Sequence, residues 1–532
     1  MTEYHEELEF ESDLRPWEIE KTFNDVLAEQ LAHAPYFIAS IVLHFLIGLI
    51  VAGIMVLTAK PEEEVPTLVA APPPPPPEVE EEEEPEPEPI EEPIEEPVVV
   101  ESELEEVVEQ ETLQEDGDPD MNADAAFDSD AWNNDVGLGG GAGGKMGGRG
   151  GRGGGKGGSE TEAAVQDALR WLRDHQSSPG FWDADEFMFN DIYPDKEQSD
   201  GEGSSTVDVG LTGLALLAFL GNNHTMDKGE FKSVVKTGIN WLKENQDSDT
   251  GLFGEEVGNP TLYNQAIATM AMGEAYYFSK QSPLLRHPMK KAVQLLVKAQ
   301  NPYFAWRYSL EPNGDNDSSI TGWMVFALKT AKENKMAVGN EVFDGAEKWF
   351  ATMTDTSIGR TGYVYADGAG VGATPSRPDK YMDKFPAEKS EALTAVALLS
   401  RMFMTDGKKV TKWSDHPQYD MLKKQAQLIA SKPPIWDDGI DQPGGSAIDM
   451  YYWYYATFAM KQWGGKEWDT WKKHLEPALL NNQRKEDKKD NFYGSWDPAG
   501  PWGEEGGRVY STAICALMLE VYYRYAQVLG AR

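Results

Sequence analysis

The sequence predicts an all-α protein: an α6/α6 toroid of about six helix pairs over residues 159–532, preceded by one transmembrane helix and a long linker. Three observations carry this reading. A glutamine, glycine and tryptophan pattern recurs through 159–532, and each copy sits between an amphipathic helical segment and an almost wholly apolar one. Upstream, a charge-free apolar run is followed by low-complexity sequence that cannot bury a core.

Residues 1–35 form a short tail, expected to be cytoplasmic. Residues 36–59, "YFIASIVLHFLIGLIVAGIMVLTA", are 24 consecutive positions without Asp, Glu, Lys or Arg. About 20 such residues cross a bilayer core of roughly 30 Å. The run is too long, and begins too late without a basic lead, for a cleaved signal peptide. Arg15 and Lys21 precede it and only Lys60 follows closely, so the expected orientation is N-terminus inside. Localisation is therefore read as a single-pass inner-membrane protein with the toroid in the periplasm. Within the run, Ser40 precedes His44 by four residues, which puts both on one helix face.

Residues 60–136 are an acidic Pro/Glu-rich spacer. The stretch 61–120 alone holds 25 acids and no Lys or Arg. Proline sets extended geometry and the glutamates repel, so these sixty residues reach at most roughly 190 Å. Residues 137–158 are a basic glycine linker. Gly150, Gly155 and Lys156 have phosphate-loop spacing, but position 157 is Gly where Mg²⁺ binding needs Ser or Thr, and no apolar strand precedes it. Of the formal charge of -43, these segments leave about -11 for 159–532. That domain is moderately acidic, with no basic surface for nucleic acid. One cysteine, Cys515, excludes a disulfide framework and any multi-cysteine metal site.

The repeats read "ALRWLRDHQSSPGFWD" (Gln176, Gly180, Trp182), "GINWLKENQDSDTGLFGE" (Gln246, Gly251, Phe253) and "AVQLLVKAQNPYFAWRYS" (Gln300, Trp306). The fourth keeps Trp349, and Gly362 with Tyr363 stand where the glycine and aromatic are expected; it lacks the glutamine. The fifth, "LIASKPPIWDDG", is degraded, and the sixth restores Gln483, Gly494 and Trp496. Each is followed by an apolar Ala/Gly-rich segment suited to an enclosed helix. Twelve helices that bury their faces against neighbours close most simply as a ring of six inner helices inside six outer ones.

This pattern resembles the QW repeat of squalene–hopene cyclases and protein prenyltransferase β subunits, across nearly all of 159–532. The resemblance implies a toroid in which Gln and Trp are structural ties. More closely, "DNDSSITGWMVFALKTA" and the C-terminal "GSWDPAGPWGEEGGRVYSTAICALMLEVYYRY" look like a bacterial group of membrane-anchored squalene-cyclase-like proteins. A cyclase of this kind needs a D-x-D-D acid. The nearest match is "PIWDDGID", where Asp437 and Asp438 align but Ile435 replaces the first acid. The same stretch spells D-D-x-x-D with Asp441, between Pro433-Pro434 and Pro443-Gly444-Gly445, and its Trp436-Asp437 is in register with Trp182-Asp183, as a turn or cap would be. Zinc ligands of the prenyltransferase type are absent, since Cys515 lies inside an apolar helix. No cofactor and no metal are expected.

Acids gather before the inner helices at Asp185, Glu202, Asp315, Asp317, Asp438, Asp441, Glu504 and Glu505. Trp323, Tyr452, Trp453 and Trp502 are placed to line a cavity beside them. The plainer reading of Asp317 and its "DSS" context is helix capping. The N-terminal segment, with S-x-x-x-H in one span and a Pro/Glu spacer, resembles the anchor of TonB-type energy transducers. That resemblance implies a Ser40/His44 face docked on a proton-channel complex, though the Lys-Pro half of the spacer and the transducer domain are missing. The expected function is a ligand- or partner-binding module. The alternatives are a terpenoid cyclase or prenyltransferase-type enzyme with a non-standard acid, and a glycan lyase or hydrolase using acids and aromatics at the ring's mouth.

Overall fold

The computed structural model describes residues 159–364, 381–405, 410, 412–437, 439, 442, 444–522 and 524. The apolar run 36–59 with Ser40 and His44, the spacer, the glycine linker, Asp438 and Asp441 lie outside the described residues. Among the described residues no helix is long and apolar enough to cross a membrane.

Among the described residues, twelve α-helices alternate between two layers, as expected. The outer layer is α1 (Ser159–Asp174), α3 (Lys232–Glu244), α5 (Pro283–Lys298), α7 (Asn340–Thr352), α9 (Tyr419–Ala430) and α11 (Gly465–Leu480). The inner layer is α2 (Asp208–Gly221), α4 (Thr261–Phe278), α6 (Ser318–Glu333), α8 (Ala392–Met404), α10 (Met450–Trp463) and α12 (Gly503–Leu519). Each inner helix packs on the next, and α12 packs back on α2, so the inner ring is closed. Helix α3 buries one stripe, Val234, Val235, Gly238, Ile239 and Leu242, whereas α4 buries nearly its whole circumference. Amphipathic sequence sits outside and all-round apolar sequence inside, because only the inner helices meet protein on every side.

The repeat residues are ties. The Gln176 amide donates to Gly180 O in its own turn and to Val234 O on the next outer helix. Gln246 joins Gly251 and Pro288 in the same way, and Gln300 joins Phe304 and Val342. Gln483 joins Gly494 to Ala164, which closes the outer ring from last repeat to first. The indoles of Trp182, Trp306 and Trp496 donate to Leu172, Leu296 and Leu479 near the ends of their own outer helices. Four turn glycines, Gly180, Gly251, Gly359 and Gly494, have φ between +83° and +112°. A Cβ on any of them would meet the next outer helix within 2.8 Å, so both conformation and closeness demand glycine.

Two repeats depart from the pattern. In the fourth, Thr354 pairs with Thr361 as Gln246 pairs with Phe253. The turn glycine is therefore Gly359, and the expected pair Gly362 and Tyr363 falls after the turn, which releases Tyr363 from packing duty. In the fifth, the missing indole is replaced by the Tyr452 hydroxyl, within reach of Ile429 O (3.1 Å) and Lys432 O (3.0 Å).

Inside the ring, α6 and α10 meet across α8. Trp323 stacks on Tyr454 at 5.5 Å between ring centroids, and Tyr455 packs edge-on to Trp323 at 5.4 Å. Phe326 adds to the stack against Tyr455 and Phe403. At this depth aromatic rings fill the space between the inner helices. Beyond α12, Arg524 bridges Glu274 of α4 (2.9 Å) and Glu520 (3.3 Å), all three side chains at most 1% exposed. Gly221 of α2 leaves the room: a Cβ there would lie 1.9 Å from the Arg524 guanidinium.

Candidate functional site

The site grows from the N-terminal cap of α6. Asp317 Oδ1 accepts the Ile320 N–H at 2.8 Å, and the Asp317 N–H donates to Trp306 O at 2.8 Å. Ser318 fixes the neighbouring segment, its N–H donating to Tyr363 O (3.0 Å) and its hydroxyl to Gly362 O (2.7 Å). These bonds bring the stretch after the fourth turn alongside the stretch after the third. Tyr363 and Tyr308, two residues beyond Trp306, consequently share a hydroxyl–hydroxyl hydrogen bond. Tyr263, from the first turn of α4, lies 6.2 Å from Tyr308 between ring centroids. Tyr451, from the first turn of α10, bonds Ser319 at 2.7 Å. Arg307 sits over the Tyr308 ring at 5.3 Å.

Asp317 is completely buried, and among the described residues its second oxygen, Oδ2, meets no donor in good hydrogen-bond geometry, although the Tyr308 hydroxyl lies close enough to act on the carboxyl. A buried carboxyl in this state favours the proton. Burial pushes Asp317 up to about 7, against the opposing pull of the Ile320 N–H, the Arg307 charge and the Tyr308 hydroxyl. Burial also raises Tyr263, Tyr308, Tyr363 and Tyr451, with the Asp317 charge adding to each. At neutral pH the phenols are therefore protonated donors. Tyr263, Tyr308 and Tyr363 are partly buried, and Asp317 is fully buried. The arrangement presents hydroxyl donors, aromatic faces and one carboxyl that titrates near neutrality. It can bind a hydroxyl-rich molecule and move a proton at it.

Of the residues singled out in the sequence, Asp317 is in this site. Trp323 is below it in the aromatic fill. Tyr452 turns outward to its α9 tie, and Trp453 packs 6.1 Å from Trp436. Asp437 accepts the Ser446 hydroxyl at 2.6 Å and the Ala447 N–H at 3.1 Å, so its carboxylate closes the loop before α10. The four tyrosines were not foreseen. The available signal was Tyr308 and Tyr363 at offsets the repeat does not explain.

A second acidic group lies at the start of α2, where carboxylate oxygens of Asp183, Asp185 and Asp208 fall within 4.8 Å of one another. Burial raises Asp208 to about 7, opposed by the Ala184 N–H and helped by Asp183 and Asp185. Asp183 accepts the N–H groups of Asp185 and Glu186, and Asp208 accepts that of Ala184. These bonds account for the group as a turn laid against a helix start.

Fold and site together define an α/α toroid with an acid-and-tyrosine cluster at the N-terminal ends of its inner helices. No family model matches the chain, and no curated protein matches it. Several solved structures align with the described toroid at low identity. An α-1,6-mannanase variant from Salegentibacter sp. HEL1_6, in complex with α-1,6-mannotriose, is 12% identical with a TM-score of 0.44, over 69% of this chain and 99% of its own. An unsaturated glucuronyl hydrolase specific for heparin is 14% identical with a TM-score of 0.45, over 70% and 99%. A type II terpene cyclase from Scytonema is 12% identical with a TM-score of 0.39, over 70% and 98%. At these identities no residue's role transfers from any of them.

Proposed function

We propose that the toroid is a ligand-binding module whose ligand is an uncharged, hydroxyl-rich molecule of the saccharide class, held by Tyr263, Tyr308 and Tyr363 in front of Asp317. The observation that carries this is the buried Asp317 oxygen, without a well-placed donor among the described residues, beside the partly buried Tyr308 and Tyr363. A buried carboxyl oxygen without a partner costs free energy that a ligand hydroxyl would recover, by accepting from the protonated acid or donating to the carboxylate. Two observations weigh against a terpenoid reading. Asp437 is engaged in its loop, and the aromatic stack around Trp323 occupies the depth where a polyene would fold. Acid–base turnover of the saccharide is the second reading, favoured by a carboxyl that titrates near neutrality.

Full-length protein titrated with neutral oligosaccharides should bind at least one of them saturably. Tyr308→Phe/Tyr363→Phe should weaken that binding about tenfold or more, the scale of two lost buried hydrogen bonds. Unchanged affinity in the double variant, or no binding across the panel, would sink the proposal. Product release by wild type would favour turnover over binding alone.

The same proposal keeps residues 36–59 as an anchor, with Ser40 and His44 as a helix face for a proton-channel complex. Its support is the S-x-x-x-H spacing within an uncharged span. Crosslinking in membranes should recover such a complex from wild type and lose it in His44→Ala. Equal recovery from both refutes the docking face.

A further inference from the structure

A cavity of about 550 Å³ opens on the outer wall where α7, α8 and α9 meet, lined by Thr354, Arg401, His416, Asp420 and Lys424 among others. It lies where the repeat breaks. In the intact repeats a glutamine amide spans from its turn to a carbonyl of the next outer helix. Here that position is Thr354, whose hydroxyl stays local, donating to Phe350 O at 2.6 Å beside Thr361 Oγ1 at 2.8 Å. The side chain is too short to reach α9, and the bridge runs the other way, from the Gln425 amide of α9 to Thr361 Oγ1 at 3.1 Å.

Arg401 of α8 enters the gap instead and is 3% exposed. Its Nε lies 3.2 Å from both Glu347 oxygens, one terminal nitrogen 3.3 Å from Gln425 Oε1, and the other 3.4 Å from Thr354 Oγ1. All of these are long for a guanidinium. Of its five N–H donors, two are left without an acceptor among the described residues. Lys424 stands at the rim and uses one N–H on Thr356 O at 2.8 Å. His416 adds no charge: its Nδ1 accepts the Gln418 N–H at 3.0 Å, and burial, then Arg401, hold its pKa down against the pull of Glu347. Asp420 is the one carboxylate among the lining residues. The cavity thus offers a buried guanidinium edge and an ammonium, in a size range usual for small-molecule sites.

We infer that this cavity binds a small oxyanion, a carboxylate or a phosphate, on the open edge of Arg401 with Lys424 closing over it. The site shares no residue with the Asp317 cluster and stands independently of the saccharide reading. Calorimetric titration of full-length protein with inorganic phosphate and, separately, with glutarate should show saturable binding of at least one. The tighter of the two identifies the anion class. Lys424→Ala, an exposed change that leaves the fold alone, should weaken binding about tenfold, as expected for one charge-assisted contact. Thr354→Gln puts a longer side chain beside Arg401 at the cavity wall and should abolish binding, with a thermal melt confirming that the protein stays folded. No saturable binding of either anion, or wild-type affinity in both variants, overturns the inference.

Discussion

Asp317→Asn should make the protein more stable at pH 8 while disabling its mouth site. Asparagine caps a helix as well as aspartate, so the Ile320 bond survives. What disappears is a buried carboxyl held at about 7 rather than its ordinary 3.8. A folded value above the unfolded one means a contribution fully present below pH 3.8 and lost as the pH rises through about 7. Asparagine has nothing to lose over that window. The variant should therefore exceed wild type by on the order of 2–4 kcal/mol at pH 8 and match it near pH 4, in paired denaturant melts. Saccharide binding should fall in the same variant. If Asp317→Asn proves less stable than wild type at pH 8, the ionised carboxylate is better solvated at the mouth than its burial implies.

The second large effect is at Arg524. Arg524→Met leaves Glu274 and Glu520 buried, each at most 1% exposed, with their shared cation gone. Removing one partner of such a group costs about 3–5 kcal/mol. Burial already raises Glu274 to about 7 despite the pull of Arg524. Without the guanidinium it rises further, so the deficit of the variant should be smallest near pH 4.5 and grow as the pH climbs. Replacing Glu274 by Leu in the same chain should recover part of the loss. A deficit under about 1 kcal/mol at pH 8 would show the triad to be energetically idle.

The ring was legible because its signal is repetitive. Gln176, Gln246, Gln300 and Gln483 recur at a spacing that only a stacked helix pair explains, and the structure uses each amide identically. The mouth was only partly legible. Asp317 stood out as an acid in a capping sequence; one oxygen makes the cap, and the proposed site draws on the other. Tyr363 was hidden by register, because reading it as the turn aromatic assigned it to packing. Tyr263, Tyr308 and Tyr451 come from three different repeats, and only the closed ring brings them to one place. The cavity at Arg401 was invisible as well: the lost glutamine was plain in the sequence, but not that an inner-helix arginine would occupy its place.

The tie between last repeat and first has a consequence for how the chain is made. Gln483 reaches Ala164, and the Trp171 indole reaches Asn491 O, contacts separated by 319 and 320 positions. Synthesis delivers α1 first and its final partners last. For most of translation α1 has only its own inner helix to pack on, since its larger partner α12 comes last, and the growing arc of helix pairs ends in an uncovered edge. Closing so long a loop is an entropic cost that shorter, neighbour-to-neighbour contacts avoid. Assembly of the arc should therefore precede locking of the seam, and a chain stalled before residue 483 would present a sticky, unclosed horseshoe to its surroundings.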